Sequence, residues 1–179
     1  MSHNMQGLRI ELFTGALPGF DAVGDQMAQW IYDEFIHNIR KGVSLADVRS
    51  RFKNCAPGVL PLRFAAYAGE TLAGTNADAL VGTKSDVLVG TISLVQNDLM
   101  YRAYSPWLSS LYVDPAYRSR GYARAMIERV KEEAWALGYK KLYLRTEHAG
   151  GYYRKLGWAY VEQCGDEYGL EPEVFCWTH

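Results

Sequence analysis

Apolar and polar positions alternate over Leu8-Arg-Ile-Glu-Leu-Phe-Thr, the pattern of a half-buried first strand. Residues 15–24 carry glycines and a proline and read as loop. The period then changes. In Asp25-Gln-Met-Ala-Gln-Trp-Ile-Tyr-Asp-Glu-Phe-Ile-His, residues Met27, Trp30, Ile31, Glu34 and Phe35 recur near helical spacing. This predicts an amphipathic helix whose outer turns are placed to line a pocket. Ser44 followed by Asp47 is a close variant of a capping box, and it opens a second helix that ends near Asn54.

Pro61-Leu-Arg-Phe-Ala-Ala-Tyr-Ala-Gly and Val87-Leu-Val-Gly-Thr-Ile-Ser-Leu-Val predict two further strands. Between them, residues 70–86 are rich in Gly, Thr, Ala and Asp and include Leu80-Val-Gly-Thr-Lys-Ser, a near copy of Leu88-Val-Gly-Thr-Ile-Ser. Lys84 stands where the second copy has Ile92, so the second copy suits the central sheet and the first an exposed, hairpin-like insertion. Residues 97–106 form a polar loop, and Trp107-Leu-Ser-Ser-Leu-Tyr-Val a strand. After Gly121 a helical pattern places Ala125, Met126, Arg129, Val130, Glu133 and Leu137 at related spacings. It turns Glu128, Arg129, Lys131 and Glu132 mostly outward and stops at Gly138. Lys140-Lys-Leu-Tyr-Leu-Arg-Thr is the next strand and Gly150 to Gly157 a short helix. Trp158 to Gln163 and Glu173 to Thr178 are closing strands. The order β-α-α-β-β-β-α-β-α-β-β contains one strand–helix–strand unit, hence one parallel pair in a largely antiparallel sheet. The fold class is therefore α/β: a mixed, mostly antiparallel central sheet flanked by helices, in a single domain over residues 1–179.

Composition narrows the function classes. The chain has 179 residues, 49% apolar and 22% charged, with a formal net charge of -1. That length supports one sizeable core, and the balanced charge offers no global attraction for nucleic acid or an anionic membrane. No apolar run approaches a membrane span, and the first residues lack the basic and apolar regions of a signal peptide. Cys55, Cys164 and Cys176 are odd in number and have no CxxC spacing. They fit buried thiols in a reducing cytoplasm and give no support to a metal site.

The candidate chemistry lies in Leu111-Tyr-Val-Asp-Pro-Ala-Tyr-Arg-Ser-Arg-Gly-Tyr-Ala-Arg-Ala-Met-Ile, a strand, a basic turn and a helix start. Proline ends the strand. Gly121 at the helix entrance lets backbone amides face outward, and those amides with the helix dipole form an anion site. Arg118 and Arg120 add fixed charge. The reading from the residues alone is a local pyrophosphate cradle; the alternative is an ordinary turn with solvated arginines.

Arg118-Ser-Arg-Gly-Tyr-Ala matches the Q/R-x-x-G-x-G/A pattern of the GNAT N-acetyltransferases, and Tyr152-Tyr-Arg-Lys-Leu-Gly-Trp resembles that family's later tyrosine-bearing helix and following strand. The element order agrees over nearly the whole chain. Asn97-Asp-Leu, Ser105-Pro-Trp-Leu-Ser-Ser-Leu-Tyr-Val and Glu171-Pro-Glu-Val further resemble a poorly characterised bacterial subgroup. The resemblance implies transfer of an acetyl group from acetyl-CoA to an amine by direct attack. It also implies that the strand holding Trp107 to Val113 diverges from the one holding Lys141 to Thr146. Backbone groups of Leu111, Tyr112 and Val113 then bond the pantetheine arm, while Arg118, Ser119, Arg120, Gly121, Tyr122 and Ala123 hold the pyrophosphate. His148 stands near CoA at a position where the family often carries Asn. Tyr153 corresponds to the acid that protonates the departing thiolate, as a phenol neutral at pH 7 is able to do; its other reading is core packing beside Tyr152.

The base is open among Glu147, His148, Asp98 and Glu34. Of Ser109 and Ser110 one faces the acceptor channel, with no partner pattern for a nucleophile. Trp30, Tyr32, Phe35, Tyr101, Tyr104 and Trp107 are candidates for the acceptor wall or for packing, and Asp33 and Glu34 for attracting a cationic amine. The expected partners are acetyl-CoA, a small-molecule or peptide amine and, through exposed closing strands, a second copy of the chain. A non-catalytic acyl-CoA sensor is the competing function; a nucleic-acid binder using Arg118, Arg120 and Arg124 is disfavoured by the balanced charge.

Overall fold

The computed structural model describes residues 7–14, 20–52, 55–69, 86–99 and 102–179. The insertion around 70–86, apart from Asp86, lies outside them, as does Tyr101. Seven strands form one sheet: β1 (Leu8–Leu12), β2 (Leu62–Gly69), β3 (Asp86–Val95), β4 (Trp107–Val113), β5 (Lys141–Thr146), β6 (Ala159–Gln163) and β7 (Glu173–Thr178). Four helices accompany them: α1 (Phe20–Phe35), α2 (Leu45–Phe52), α3 (Tyr122–Ala136) and α4 (Gly150–Lys155). The sheet order is β1-β2-β3-β4-β5-β7-β6; every pairing is antiparallel except β4 with β5. The second copy of the duplicated hexapeptide lies in β3, as its apolar Ile92 requires.

The two faces of the sheet bury different helices. Leu62, Phe64, Ile92, Leu108, Met126, Val130 and Leu142 belong to the cluster beneath α3 and α4. On the opposite face, Phe13, Met27, Ile31, Val48, Phe52 and Ala65 join α1 and α2 to the sheet. A third cluster, Leu99, Trp107 and Val174, fills the region beside Tyr104 and Tyr143. Alternation along β2 thus sends Leu62 and Phe64 to one face and Arg63 and Ala65 to the other.

Several expectations need correction. Helix α1 begins at Phe20, not Asp25. Gly24 reads as a loop residue, but a Cβ there would meet Cζ of Phe13 at 2.9 Å, so glycine allows the helix to approach β1. Helix α2 is described to Phe52, and Asn54, near which its end was expected, lies outside the described residues; its Ser44 cap is as expected, with Oγ accepting from the Asp47 amide at 3.2 Å and Asp47 accepting from the Ser44 amide at 2.8 Å. Lys131 is not outward: it is 5% exposed, lies over the rings of Trp158 and Trp177, and pairs with Glu128 at 2.9 Å. The aromatic rings supply a face for the ammonium that the helical pattern alone does not reveal. The three cysteines are free and half-buried, not buried.

Two irregularities shape the site. Between the pairs Thr91–Tyr112 and Ser93–Ser109, the single residue Ile92 faces Ser110 and Leu111, so β4 bulges, and Ser110 takes φ +55°. Bulges re-aim the backbone of the strand that carries the extra residue. Second, β4 and β5 share one registered pair, Trp107–Tyr143, next to which the Tyr143 amide donates to the Pro106 carbonyl at 3.0 Å. Past that pair the two strands separate, and the edge of β4 that holds Leu111 to Val113 has no strand partner on this side.

Candidate active site

A cavity of about 1500 Å³ opens along this separation. Its floor is β4 from Leu108 to Val113. Ile31, Glu34 and Phe35 of α1 and Val48, Arg51 and Phe52 of α2 form one wall. The end of β5, α4 and the loop carrying Glu167 and Leu170 form the other. Trp30 stacks on Tyr112 at 5.0 Å between centroids and fixes α1 over β4.

At one end of the cavity stands the basic turn. Asp114 caps a short 3-10 turn, accepting from the Ala116 amide at 2.9 Å. The chain then passes through Ser119 at φ +62° and Gly121 at φ +79° before α3 begins. None of the amides from Ser119 to Arg124 donates to a protein acceptor among the described residues. These are the unpaired donors of a helix start, aimed outward by left-handed backbone. Arg118 donates through Nε to the Val113 carbonyl at 2.9 Å, which ties the turn to the end of β4. Arg118, Ser119, Gly121, Tyr122 and Ala123 line the cavity; Arg120 is exposed and donates weakly to the Ala116 carbonyl at 3.4 Å. An alanine at Gly121 brings a Cβ to a backbone conformation that L-residues resist and narrows the approach to the amides. The expected outcome for Gly121→Ala is CoA affinity lowered about 10-fold, read by calorimetry, with thermal stability lowered by about 1 kcal/mol.

Tyr153 sits at the other side of the opening. Helix α4 starts where the Ala149 amide donates to Thr146 Oγ1 at 3.0 Å, and one turn later Tyr153 faces inward at 8% exposure. Its ring lies against Tyr152, Trp158 and Phe175. Burial pushes its pKa up to about 12, with the neighbouring Tyr152 adding to the shift. The hydroxyl is thus firmly protonated at neutral pH, and Tyr153 is on the cavity wall together with Tyr152.

The candidate bases are dispersed. Glu147 is exposed and on the wall, immediately past β5. His148 is exposed and not part of the lining. Asp98 accepts from Ser109 Oγ at 2.8 Å and pairs with Arg145 at 3.3 Å. Glu34 is an exposed part of the α1 wall. Both Ser109 and Ser110 line the cavity, with no histidine among the partners of Ser109. Tyr32 contacts His37, and Tyr104 and Trp107 pack with Tyr143, so of the aromatic candidates for the wall Phe35 alone among the described residues reaches it. Asp33 is held by Gln29 at 3.0 Å, away from the lining.

Arg40, Arg51, Arg63, Arg102 and Arg145 also lie on the wall and carry no sequence motif; Arg145 and Arg63 are the most buried of them. Arg145 is bracketed by Asp98 and Asp166, the latter at 2.7 Å. Burial works against its charge, but the two carboxylates hold its pKa above the ordinary value. Asp166 also accepts from the amides of Tyr168 and Leu170, so this ion pair fixes the loop that closes one wall. Arg63 projects from β2, 8% exposed, with its pKa lowered by burial. The signal for Arg63 was present: a single charge inside an otherwise apolar strand.

Among the described residues no group of His, Cys, Asp and Glu has the arrangement of a metal site, and no helix is long and apolar enough to cross a membrane. The structure resembles an aminoglycoside 6'-N-acetyltransferase complexed with coenzyme A, with TM-score 0.64 at 18% identity over 95% of this chain and 96% of that one. It also resembles a GNAT family acetyltransferase from Elizabethkingia anophelis with acetyl-CoA bound (TM-score 0.55, 14% identity, 97% and 99% of the chains). An N-acetyltransferase from Staphylococcus aureus Mu50 superposes with TM-score 0.62 at 12% identity over 96% and 97%. No curated protein matches in sequence. The sequence profile of the acetyltransferase (GNAT) family matches residues 45–158, a span from α2 through the basic turn to the end of α4. The chain therefore belongs to the GNAT family of acetyl-CoA-dependent N-acetyltransferases.

Proposed function

We propose that the protein acetylates the nitrogen of a small amine by direct attack on the thioester of acetyl-CoA, with Tyr153 as the general acid. The observation that carries this reading is the protonated, buried Tyr153 facing across the cavity from the unpaired edge of β4. Leu111, Tyr112 and Val113 offer that edge to the pantetheine arm, which pairs like an added strand. The free amides of Ser119 to Ala123, with Arg118 beside them, suit the pyrophosphate. The donor set fits the family's donor without a metal.

In the reaction the amine nitrogen, once neutral, forms a bond to the thioester carbonyl carbon and the carbon–sulfur bond breaks. The electron pair leaves on sulfur, the Tyr153 hydroxyl supplies the proton that makes the free thiol, and the proton that the attacking nitrogen sheds as the amide forms restores the Tyr153 hydroxyl. Glu147, on the wall past β5, or Glu34 takes the proton released by the ammonium, directly or through water. His148 lies off the wall and Asp98 is committed to Arg145 and Ser109, which leaves Glu147 and, on the α1 wall, Glu34. A protonated tyrosine on the wall of a cavity beside a strand opening favours turnover over acyl-CoA sensing alone.

The test is thiol release from acetyl-CoA over a panel of amines, with CoA binding measured separately. Amine-dependent release is expected; CoA binding with no amine-dependent release would leave the sensor reading instead.

A further inference from the structure

We infer that the acceptor is an amine that also carries an oxyanion, a carboxylate or a phosphate, and that Arg63 binds this anion. The inference rests on the transferase reading above and adds the acceptor class to it.

Arg63 is a buried cation without a counter-charge. Its Nη1 donates to Ser93 Oγ at 3.0 Å, its Nε donates to the Arg51 carbonyl at 3.4 Å, and its guanidinium lies 4.4 Å from the centre of the Phe52 ring. No carboxylate among the described residues pairs with it. Cys55 is its other neighbour, but burial pushes that thiol's pKa up and keeps it neutral. A buried, unneutralised guanidinium is costly, and this one lines the cavity. The contrast with the other buried arginine on the wall is direct: Arg145 has two carboxylates. A second orphan points the same way. Arg40 also lines the cavity, and its buried Nε has no hydrogen-bond partner. Its guanidinium lies over the Tyr168 ring.

The position is right for an acceptor. Arg63 pairs across the sheet with Ser93, and Ser93 with Ser109, on the face that carries α1 and α2. Two strand spacings, roughly 10 Å, separate β2 from β4. The guanidinium reaches along that row toward Ser93. An anion on it leaves the amine of an amino acid or an aminoalkyl phosphate within reach of the open edge of β4. The exposed residues Glu34 and Glu147 line the same cavity and suit the ammonium of such an acceptor. A polycationic acceptor would instead set like charge against Arg63 and Arg40.

Matched pairs test the idea: amino acids against their amides, and aminoalkyl phosphates against the parent amino alcohols, in the thiol-release assay with full-length protein. The wild-type protein is expected to prefer the oxyanion-bearing member of at least one pair by about 10-fold or more in kcat/KM. The Arg63→Gln variant is expected to lose that preference and Arg63→Lys to keep part of it, with CoA affinity unchanged in both. A structural role for Arg63 would lower activity on both members alike and leave the ratio intact. If Arg63→Gln fails to fold, the wild-type ratio decides. Equal or better turnover of the neutral members or of polyamines overturns the inference, as does CoA binding with no turnover of any oxyanion-bearing amine. Absence of CoA binding overturns the transferase reading itself, and the inference with it.

Discussion

Tyr153→Phe is expected to lower kcat about 100-fold or more while leaving the KM for acetyl-CoA nearly unchanged. The substitution removes the hydroxyl alone. The ring contacts with Trp158 and Phe175 persist, so thermal stability is expected to stay within about 0.5 kcal/mol of wild type. In the proposed mechanism the hydroxyl acts when the carbon–sulfur bond breaks, so its loss is expected to affect the chemical step and not donor binding. The pH profile carries a second signature. Burial raises the folded-state pKa of Tyr153 from the ordinary phenol range to about 12, so the acid form persists across the usual assay range. Alkaline loss of activity through this group begins only as the pH nears 12. A kcat that falls near pH 10 in wild type but not in Tyr153→Phe contradicts the burial argument. A Tyr153→Phe variant with wild-type kcat removes the acid role.

The second large effect is on the frame that holds the site. Gly90 of β3 pairs with Val113 of β4, and a Cβ there would stand 2.6 Å from the Tyr112 carbonyl oxygen and 3.1 Å from Met126 Cε. Met126 is a flexible side chain and can move; the carbonyl belongs to the paired strand and cannot move without shifting β4. Gly90→Ala is therefore expected to destabilise the fold by about 2–3 kcal/mol. For a domain of this size that lowers Tm by roughly 4–12 °C. Because Tyr112 and Val113 belong to the edge proposed to receive pantetheine, CoA affinity is expected to fall as well. A control at Gly151, where a Cβ meets nothing within 4 Å, is expected to leave both nearly unchanged. Differential scanning fluorimetry and calorimetry with CoA check the two halves of this expectation.

Much of the frame of the proposed donor site was legible from the residues. The alternation that set Trp107 to Val113 as a strand, the proline that ended it and the glycine at the helix start are local signals, and the structure places β4, the 3-10 turn and α3 where those signals put them. The strand–helix–strand unit likewise foretold the single parallel pair. The acceptor half was less legible for a physical reason. Alternation assigns Arg63 to one face of β2, but which helices cover that face follows from sheet order, and sheet order is a non-local property. The same holds for Arg145, whose partners Asp98 and Asp166 lie on two separate loops. Lys131 shows the opposite error: helical spacing sent it outward, and Trp158, just before β6, with Trp177 of β7 gave its ammonium a buried place. The start of α1 was missed because Gly24 was weighed as a loop former, whereas its role is close contact with Phe13.

The central claim is that one cavity joins a pyrophosphate cradle at Ser119 to Ala123 with a pantetheine edge at Leu111 to Val113. Calorimetric titration of the folded protein with CoA, and in parallel with pantetheine, tests it most directly. One CoA site per chain is expected, with clearly weaker binding of pantetheine, because the turn amides and Arg118 then have no phosphate to hold. Equal affinity for the two ligands, or no binding of CoA at all, contradicts it.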